Sequence, residues 1–174
     1  MTSLRYCRLR VNEGKSAVAS PTKRKFLGYS FYYKNGTYRL RVHPKSLNRL
    51  KDKVREVTNR NVSMNFETRL KKLIEKTRGW VNYFKLADMS KSLKEMDGWI
   101  RRRLRACIWK TWKKIRTRFT SLNKLGIDRN KAWEFANTRK GYWRISNSPI
   151  MQRSITNERL EKRGYVSMST MYKK

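Results

Sequence analysis

The chain has 174 residues, room for one domain or two small ones, and carries 45 Lys and Arg against 12 Asp and Glu, a formal net charge of +33. Such a charge opposes compaction and is relieved by a polyanion, so a phosphate-bearing partner is expected. Solubility alone needs a net charge of only about 2–8 in a small domain. With 38% hydrophobic and 12% aromatic residues, the sequence is also unlike a disordered basic tail, which is poor in aromatics.

In chain order, Leu4 to Val11 sets Leu4, Leu9 and Val11 among arginines, like the end of a helix or strand, and Asn12-Glu13-Gly14 is a turn signal. Short strand-like runs follow at Ser16 to Ala19, Phe26 to Tyr33 and Tyr38 to Val42, with Asn35-Gly36 marking a hairpin between the last two. Apolar and aromatic residues occupy both alternating sets of Phe26 to Tyr33, which predicts a strand packed on both faces. Pro44 suits the first turn of a helix, and Leu47, Leu50, Val54 and Val57 recur at helical spacing. A second helix is expected after Ser63 or Asn65, with Glu67 in its first turn and the stripe Phe66, Leu70, Leu73, Ile74, Val81, Phe84. The third and longest is expected over Lys91 to about Phe119, capped by Ser90, with the stripe Leu93, Met96, Ile100, Leu104, Cys107, Ile108, Trp112, Ile115, Phe119. Three such stripes predict a three-helix bundle. Beyond Gly126, Asp128 can cap a short helix containing Ala132, Trp133, Phe135 and Ala136. Tyr142 to Ile145 reads as extended, and Ser148-Pro149 opens a helix that runs on to Gly164.

Few residues suit catalysis or metal binding. Cys7, Cys107 and His43 are too few for a zinc site of the usual kind. Cys107 falls in an apolar stripe as a small core residue, and His43 before Pro44 reads as structural. The cysteine usage fits a reducing compartment. Asp88, Glu95 and Asp97 near the start of the third helix read as N-terminal helix charge and ion-pair partners of arginines, not as a magnesium site. No apolar run reaches the roughly 18 residues of a membrane span, so no membrane partner is expected.

The basic constellation is the strongest signal. Arg101, Arg102, Arg103, Arg105, Lys110, Lys113, Lys114, Arg116 and Arg118 surround the stripe of the third helix and predict a cationic exposed arc. Aromatic residues interleave with it. Trp112 lies in the stripe, while Trp99 and Trp109 lie at its edges, open to core packing or to base stacking. Trp143, beside Arg144, is a candidate for stacking on an unpaired base. These features point to nucleic acid without distinguishing RNA from DNA.

Particular motifs go further. Leu9-Arg10-Val11-Asn12-Glu13-Gly14-Lys15-Ser16 resembles a palm stretch of group II intron reverse transcriptases, and Phe26-Leu27-Gly28-Tyr29-Ser30-Phe31 resembles their primer-grip block. Arg78-Gly79-Trp80-Val81-Asn82-Tyr83-Phe84 and Asp97-Gly98-Trp99-Ile100-Arg101-Arg102-Arg103-Leu104-Arg105 are similar to signatures of the thumb and maturase domain. Gly141-Tyr142-Trp143-Arg144 with Ser148-Pro149 resembles a block near the end of bacterial maturases. The blocks occur in the family's order along nearly the whole chain.

The resemblance implies a mainly α fold with a small β element: a remnant of palm strands over 1–43, a helical thumb over 44–126 and a C-terminal maturase segment over 127–174. It implies a primer-grip-like role for Phe26, Leu27, Gly28 and Tyr29. It implies RNA contacts at Lys15, Arg78, Arg139, Lys140, Trp143 and Arg144 beside the basic helix. The expected partner is structured group II intron RNA or a template–primer duplex, in a bacterial cytoplasm. The metal-binding aspartates of such polymerases would precede Leu4, so the chain is expected to be no enzyme on its own and to need no cofactor, Mg²⁺ being required only in a complete polymerase. Two functions are open: a maturase fragment that assists intron folding and splicing, or half of a split reverse transcriptase whose second chain supplies fingers and aspartates.

Overall fold

The computed structural model describes residues 19–173; Cys7, the palm-like stretch Leu9 to Ser16 with its turn and Lys15, and most of the strand expected from Ser16 lie outside the described residues. A 3-10 turn over Pro21–Lys23 leads into an antiparallel sheet of order β1-β2-β3, with β1 Lys25–Phe26, β2 Tyr29–Lys34 and β3 Thr37–Val42. Helices follow: α1 Pro44–Val57, α2 Phe66–Tyr83, α3 Ser90–Thr111, α4 Ile115–Lys124, α5 Arg129–Ala136, α6 Tyr142–Ile145, α7 Pro149–Ser154, α8 Asn157–Lys162 and α9 Met168–Lys173. The fold is mainly α with a small β element, as expected.

The strand predicted over Phe26 to Tyr33 is in fact two strands. Leu27 (φ 48) and Gly28 (φ 88) form a two-residue turn that pairs Phe26 with Tyr29. Asn35-Gly36 makes the second such turn, in the left-handed conformation that the twist of hairpin strands favours. Packing on both faces is confined to the middle of the strand, where Tyr29, Phe31 and Tyr32 are half-buried and Ser30 is buried, while Phe26, Leu27, Tyr33 and Tyr38 are exposed. One end of the sheet is instead bolted to the helices. Tyr83 Oη donates to the Leu27 carbonyl at 2.9 Å, Tyr29 Oη donates to the Tyr83 carbonyl, and Ser46 Oγ donates to the Gly28 carbonyl at 3.1 Å. Gly28 is required here twice over, by its positive φ and because a Cβ would stand 3.0 Å from both Phe84 Cζ and Ser46 Oγ.

In α1, His43 is the N-cap and its Nδ1 accepts from the Lys45 amide, the structural role expected of it. Asn65 caps α2 through the Glu67 amide, and Asp128 caps α5 through the Asn130 and Lys131 amides. Most of the predicted stripe residues fill one core, whereas Ile115, at the start of the separate helix α4, is exposed. Leu50, Val54, Leu70, Leu73, Leu93, Ile100, Leu104 and Met151 are nearly or wholly inaccessible, each aliphatic side chain contributing about 1.5–3 kcal/mol of burial.

The long third helix is not continuous. Straight, it would run about 43 Å and carry Phe119 off the body. Trp112 (ψ 67) and Lys114 (ψ 148) instead leave helical geometry, and α4 packs against α5, with Leu122 fully buried and Phe119 meeting Trp133 edge-on. Ser90 is the first helical residue rather than the cap, a position held by Met89. Tyr142 to Ile145, predicted extended, is one helical turn that buries Ile145. The expected run from Pro149 to Arg163 is interrupted at Ile155, and Thr156 caps α8 by accepting from the Arg159 amide.

Helix α9, which no sequence signal suggested, packs against α2 and α3. Its anchor is Asp97. The carboxylate is buried and accepts from Tyr165 Oη (3.1 Å), the Met168 amide (2.8 Å), the Ser169 amide (3.0 Å) and Ser169 Oγ (2.6 Å). The expected ion pairing with arginine therefore does not occur at Asp97; it satisfies the first amides of α9, which have no partner inside their own helix. Burial next to this carboxylate pushes the Tyr165 phenol well above its ordinary range.

Both anchors are open to mutation. Asp97→Ala strands several buried donors and is expected to cost at least about 3 kcal/mol in urea unfolding followed by Trp fluorescence, whereas Tyr165→Phe, which removes one bond, costs about 1 kcal/mol. Gly28→Ala is expected to destabilise by about 1–3 kcal/mol, through strain and the close approach to Phe84; a neutral result would contradict the docked turn.

Candidate nucleic-acid interface

Arginine has five donors in a planar fork and no acceptor. In this structure one set of arginines spends those donors inside the protein. Arg69 is buried and donates to the carbonyls of Val57, Asn59 (2.9 Å) and Val62 (3.0 Å), just past the end of α1. Arg103 donates to Thr58 Oγ1 at the same helix end. Arg105 donates to the Ile155 carbonyl at 2.8 Å and to Asn157 Oδ1 at 3.1 Å. Arg118 joins the ends of α3 and α5, through Trp112 O at 2.9 Å and Ala136 O at 3.3 Å. Arg159 joins the ends of α4 and α7, through Leu125 O and Ser154 O. Apart from Val62 O, the backbone carbonyls lie at or near a helix C-terminus, where the partial charge is negative and cations are favoured. Burial lowers the pKa of Arg103 and Arg105 from the ordinary value.

The predicted basic residues therefore separate. Arg105, placed by sequence on the exposed arc, is buried. Arg103, Arg118, Arg101, Arg102 and Lys110 are half-buried, and Lys113, Lys114 and Arg116 are exposed around the break between α3 and α4. Arg78 is exposed on α2, and Arg139, Lys140 and Arg144 are exposed around α6. Lys15 lies outside the described residues. Trp109 is core, with 1% of its surface exposed, and Arg118 lies 5.0 Å from its ring centre.

A second set of arginines faces aromatic rings across one surface. Arg55 and Arg103 lie 5.7 and 5.2 Å from the Trp99 ring, Arg60 lies 5.3 Å from Tyr142, and Arg102 lies 3.9 Å from Trp143 while donating to its carbonyl at 3.0 Å. Lys110 Nζ donates to Asn61 Oδ1 at 3.0 Å. The end of α1, the middle of α3 and α6 thus form one face of alternating guanidinium and ring. Trp143, the predicted stacking residue, is 39% exposed and already covered in part by Arg102. Arg55 and Arg60 carried no signal in the sequence, because the rings they face, Trp99 and Tyr142, are remote from them along the chain, and Tyr142 stood out only as a member of the Gly141-Tyr142-Trp143-Arg144 block.

Among the described residues, carboxylates form ion pairs with cations at Asp52 with Arg55 (2.6 Å), Glu56 with Lys76 (3.2 Å) and Asp88 with Arg39 (3.6 Å). The positive face is consequently left largely uncompensated. The primer-grip-like residues Phe26, Leu27, Gly28 and Tyr29 come together at the first turn. A cavity of about 510 Å³ beside that turn is lined by Lys25, Arg49, Lys53, Trp80 and Tyr83. Among the described residues no three His, Cys, Asp or Glu side chains gather into a group that could hold a metal ion, and no helix is long and apolar enough to cross a membrane.

Residues 47–126, from α1 to the turn after α4, match the family model described as the group II intron, maturase-specific domain. No curated protein matches the chain.

The two sets of cations are separable by mutation. Arg105→Ala is expected to cost about 1.5–3 kcal/mol of stability by urea unfolding, since a charged donor leaves a buried carbonyl. The double change Lys113→Ala, Lys114→Ala is expected to move stability by no more than about 0.5 kcal/mol while lowering the log–log salt slope of RNA binding by about 0.7–0.9 for each phosphate no longer neutralised. Equal stability losses in the two variants would overturn the division.

Proposed function

We propose, on the premise that residues 47–126 belong to the group II intron maturase-specific domain family, that this chain binds group II intron RNA and favours its compact, splicing-competent form. The observation that carries the reading is the face on which Trp99, Tyr142 and Trp143 alternate with Arg55, Arg60, Arg102 and Arg103. Guanidinium groups stacked on rings are held in place before binding, so less freedom is lost when a phosphate arrives. Neighbouring Lys110, Lys113, Lys114 and Arg116 supply further phosphate contacts. A ligand that binds the folded RNA better than the unfolded one shifts the equilibrium by its differential affinity and by no more than that.

The test is filter binding to an intron transcript across salt, paired with splicing at limiting Mg²⁺. With about 6–10 phosphates contacted, affinity is expected to fall about 10³–10⁵-fold between 50 and 200 mM salt. The combined change Arg60→Ala, Arg102→Ala is expected to weaken both binding and splicing. A salt slope near zero, or tight binding without any gain in splicing, would overturn the proposal.

A second reading rests on a different surface. Phe26 and Leu27 are each 66% exposed and Tyr83 is 55% exposed, side by side at the docked turn. Exposed apolar clusters mark interaction surfaces. In this reading a second polypeptide carrying fingers and catalytic aspartates covers them, and polymerisation occurs in the complex. Primer extension with and without such a partner decides it: activity in the mixture supports the split enzyme, and none in either arm rejects it.

A further inference from the structure

The groove between α3 and the α7–α8 segment has a chemistry that phosphate binding alone does not explain. Its volume is about 670 Å³, and its lining includes Trp99, Arg101, Arg102, Gln152, Asn157 and Glu158. Small-molecule sites span about 300–1,000 Å³. The arginines would suit a backbone phosphate, but Glu158 would repel one. In the first turn of α8 it answers the helix dipole, and its hydrogen bonds with Thr156 and its own amide keep the carboxyl below its ordinary range. Although Arg101, Arg102 and Arg105 share the groove, Glu158 is ion-paired with none of them among the described residues.

Of the cations in the groove, Arg105 spends its donors on Ile155 and Asn157, while Arg101 and Arg102 keep donors for a ligand. Arg102 is fixed by its stack on Trp143 and by the bond from its Nη2 to the Trp143 carbonyl; its Nε is buried and out of a ligand's reach, so its Nη1 is the group that meets a ligand. Gln152 donates from its amide nitrogen to the Asn147 carbonyl at 3.2 Å, which leaves its oxygen as an acceptor. Asn157 uses its oxygen on Arg105, leaving its amide nitrogen as a donor. A ligand matching this set presents acceptors to a guanidinium and donors to a carboxylate, and has an aromatic plane to lie near Trp99. Among the RNA bases guanine offers the fullest match: O6 and N7 accept from arginine, and N1–H and the N2 amino group donate to a carboxylate.

We propose that this groove seats one unpaired guanosine of the bound RNA and gives the otherwise sequence-blind surface a base preference. The inference rests on the RNA-binding reading above. Glu158 reads the Watson–Crick edge, Arg102 the O6/N7 edge, and Arg101 at the rim holds the adjoining phosphate.

Fluorescence anisotropy with labelled hexaribonucleotides tests it on the whole chain at one low salt concentration. The wild-type protein is expected to bind UUGUUU about tenfold more tightly than UUUUUU. Glu158→Gln, at an exposed position, is expected to bring that ratio to about one, and Arg102→Lys, which keeps charge but loses the planar fork, to reduce it. A wild-type ratio near one, or an undiminished ratio in Glu158→Gln, overturns the proposal while leaving general RNA binding intact. Failure of the wild-type protein to bind either oligomer sinks the RNA-binding reading, and this inference with it. Excess GMP distinguishes the source of the nucleotide. Displacement by the G-containing oligomer but not by GMP supports a residue within RNA, and equal displacement by GMP assigns the groove to a free nucleotide instead.

Discussion

Forty-five cations and 12 carboxylates must share one small body, and folding brings like charges together. Carboxylates can neutralise only a minority. The fold meets the remainder with a source of negative potential that needs no acidic residue: the carbonyl ends of its own helices. Short helices suit this purpose, because each contributes a fresh set of unpaired carbonyls. Arg69 and Arg103 gather those after α1, Arg118 bridges α3 and α5, and Arg159 bridges α4 and α7. A guanidinium so placed stabilises the helix end and joins two elements at once. A lysine could not, since its ammonium is a point charge without a planar fork.

This use of arginine decides what is left for ligand binding. The inward guanidinium groups fix the spacing of α1, α3 and α7, and the outward ones then sit on a rigid floor. Arg103 belongs to both sets, donating to Thr58 while lying over Trp99. Asp97 works at the opposite polarity. A single buried carboxylate gathers the amides of α9 and closes the C-terminal segment onto α2 and α3. Negative charge is scarce in this chain, and one carboxylate placed inside does more for the fold than it could on a surface where salt screens it.

The sequence made the apolar half of the structure legible. Helical spacing located α1 and α2 within a few residues, Asn35-Gly36 located the hairpin, and Asp128 located α5, because periodicity, turn chemistry and capping are local. The failures were tertiary. Nothing in Trp112-Lys113-Lys114 forbids a helix, and α3 ends there because Leu122 has a core to enter. Leu27 at positive φ contradicts local preference and is held by Tyr83 and the docking of Gly28. The basic constellation was visible as charge, but which arginine turns inward was not, since Arg102, Arg103 and Arg105 differ only in what faces them from α6, α1 and α7. Arg60 and Tyr142 could be joined only by the fold.

Arginine and lysine consequently divide the labour along a line that salt can probe. Around Trp99, Tyr142 and Trp143 the cations are arginines, partly desolvated and oriented by rings, so their contacts with phosphate depend on geometry as well as on charge. Around the α3–α4 break the exposed cations Lys113 and Lys114 are hydrated and flexible, and their attraction to phosphate is mostly counterion release. Raising salt weakens the second kind first and leaves the first kind to discriminate. If the chain binds RNA as proposed, its lysines capture the polymer over a wide surface, and selection among captured conformations falls to the few places where ring, guanidinium and backbone must all be met together.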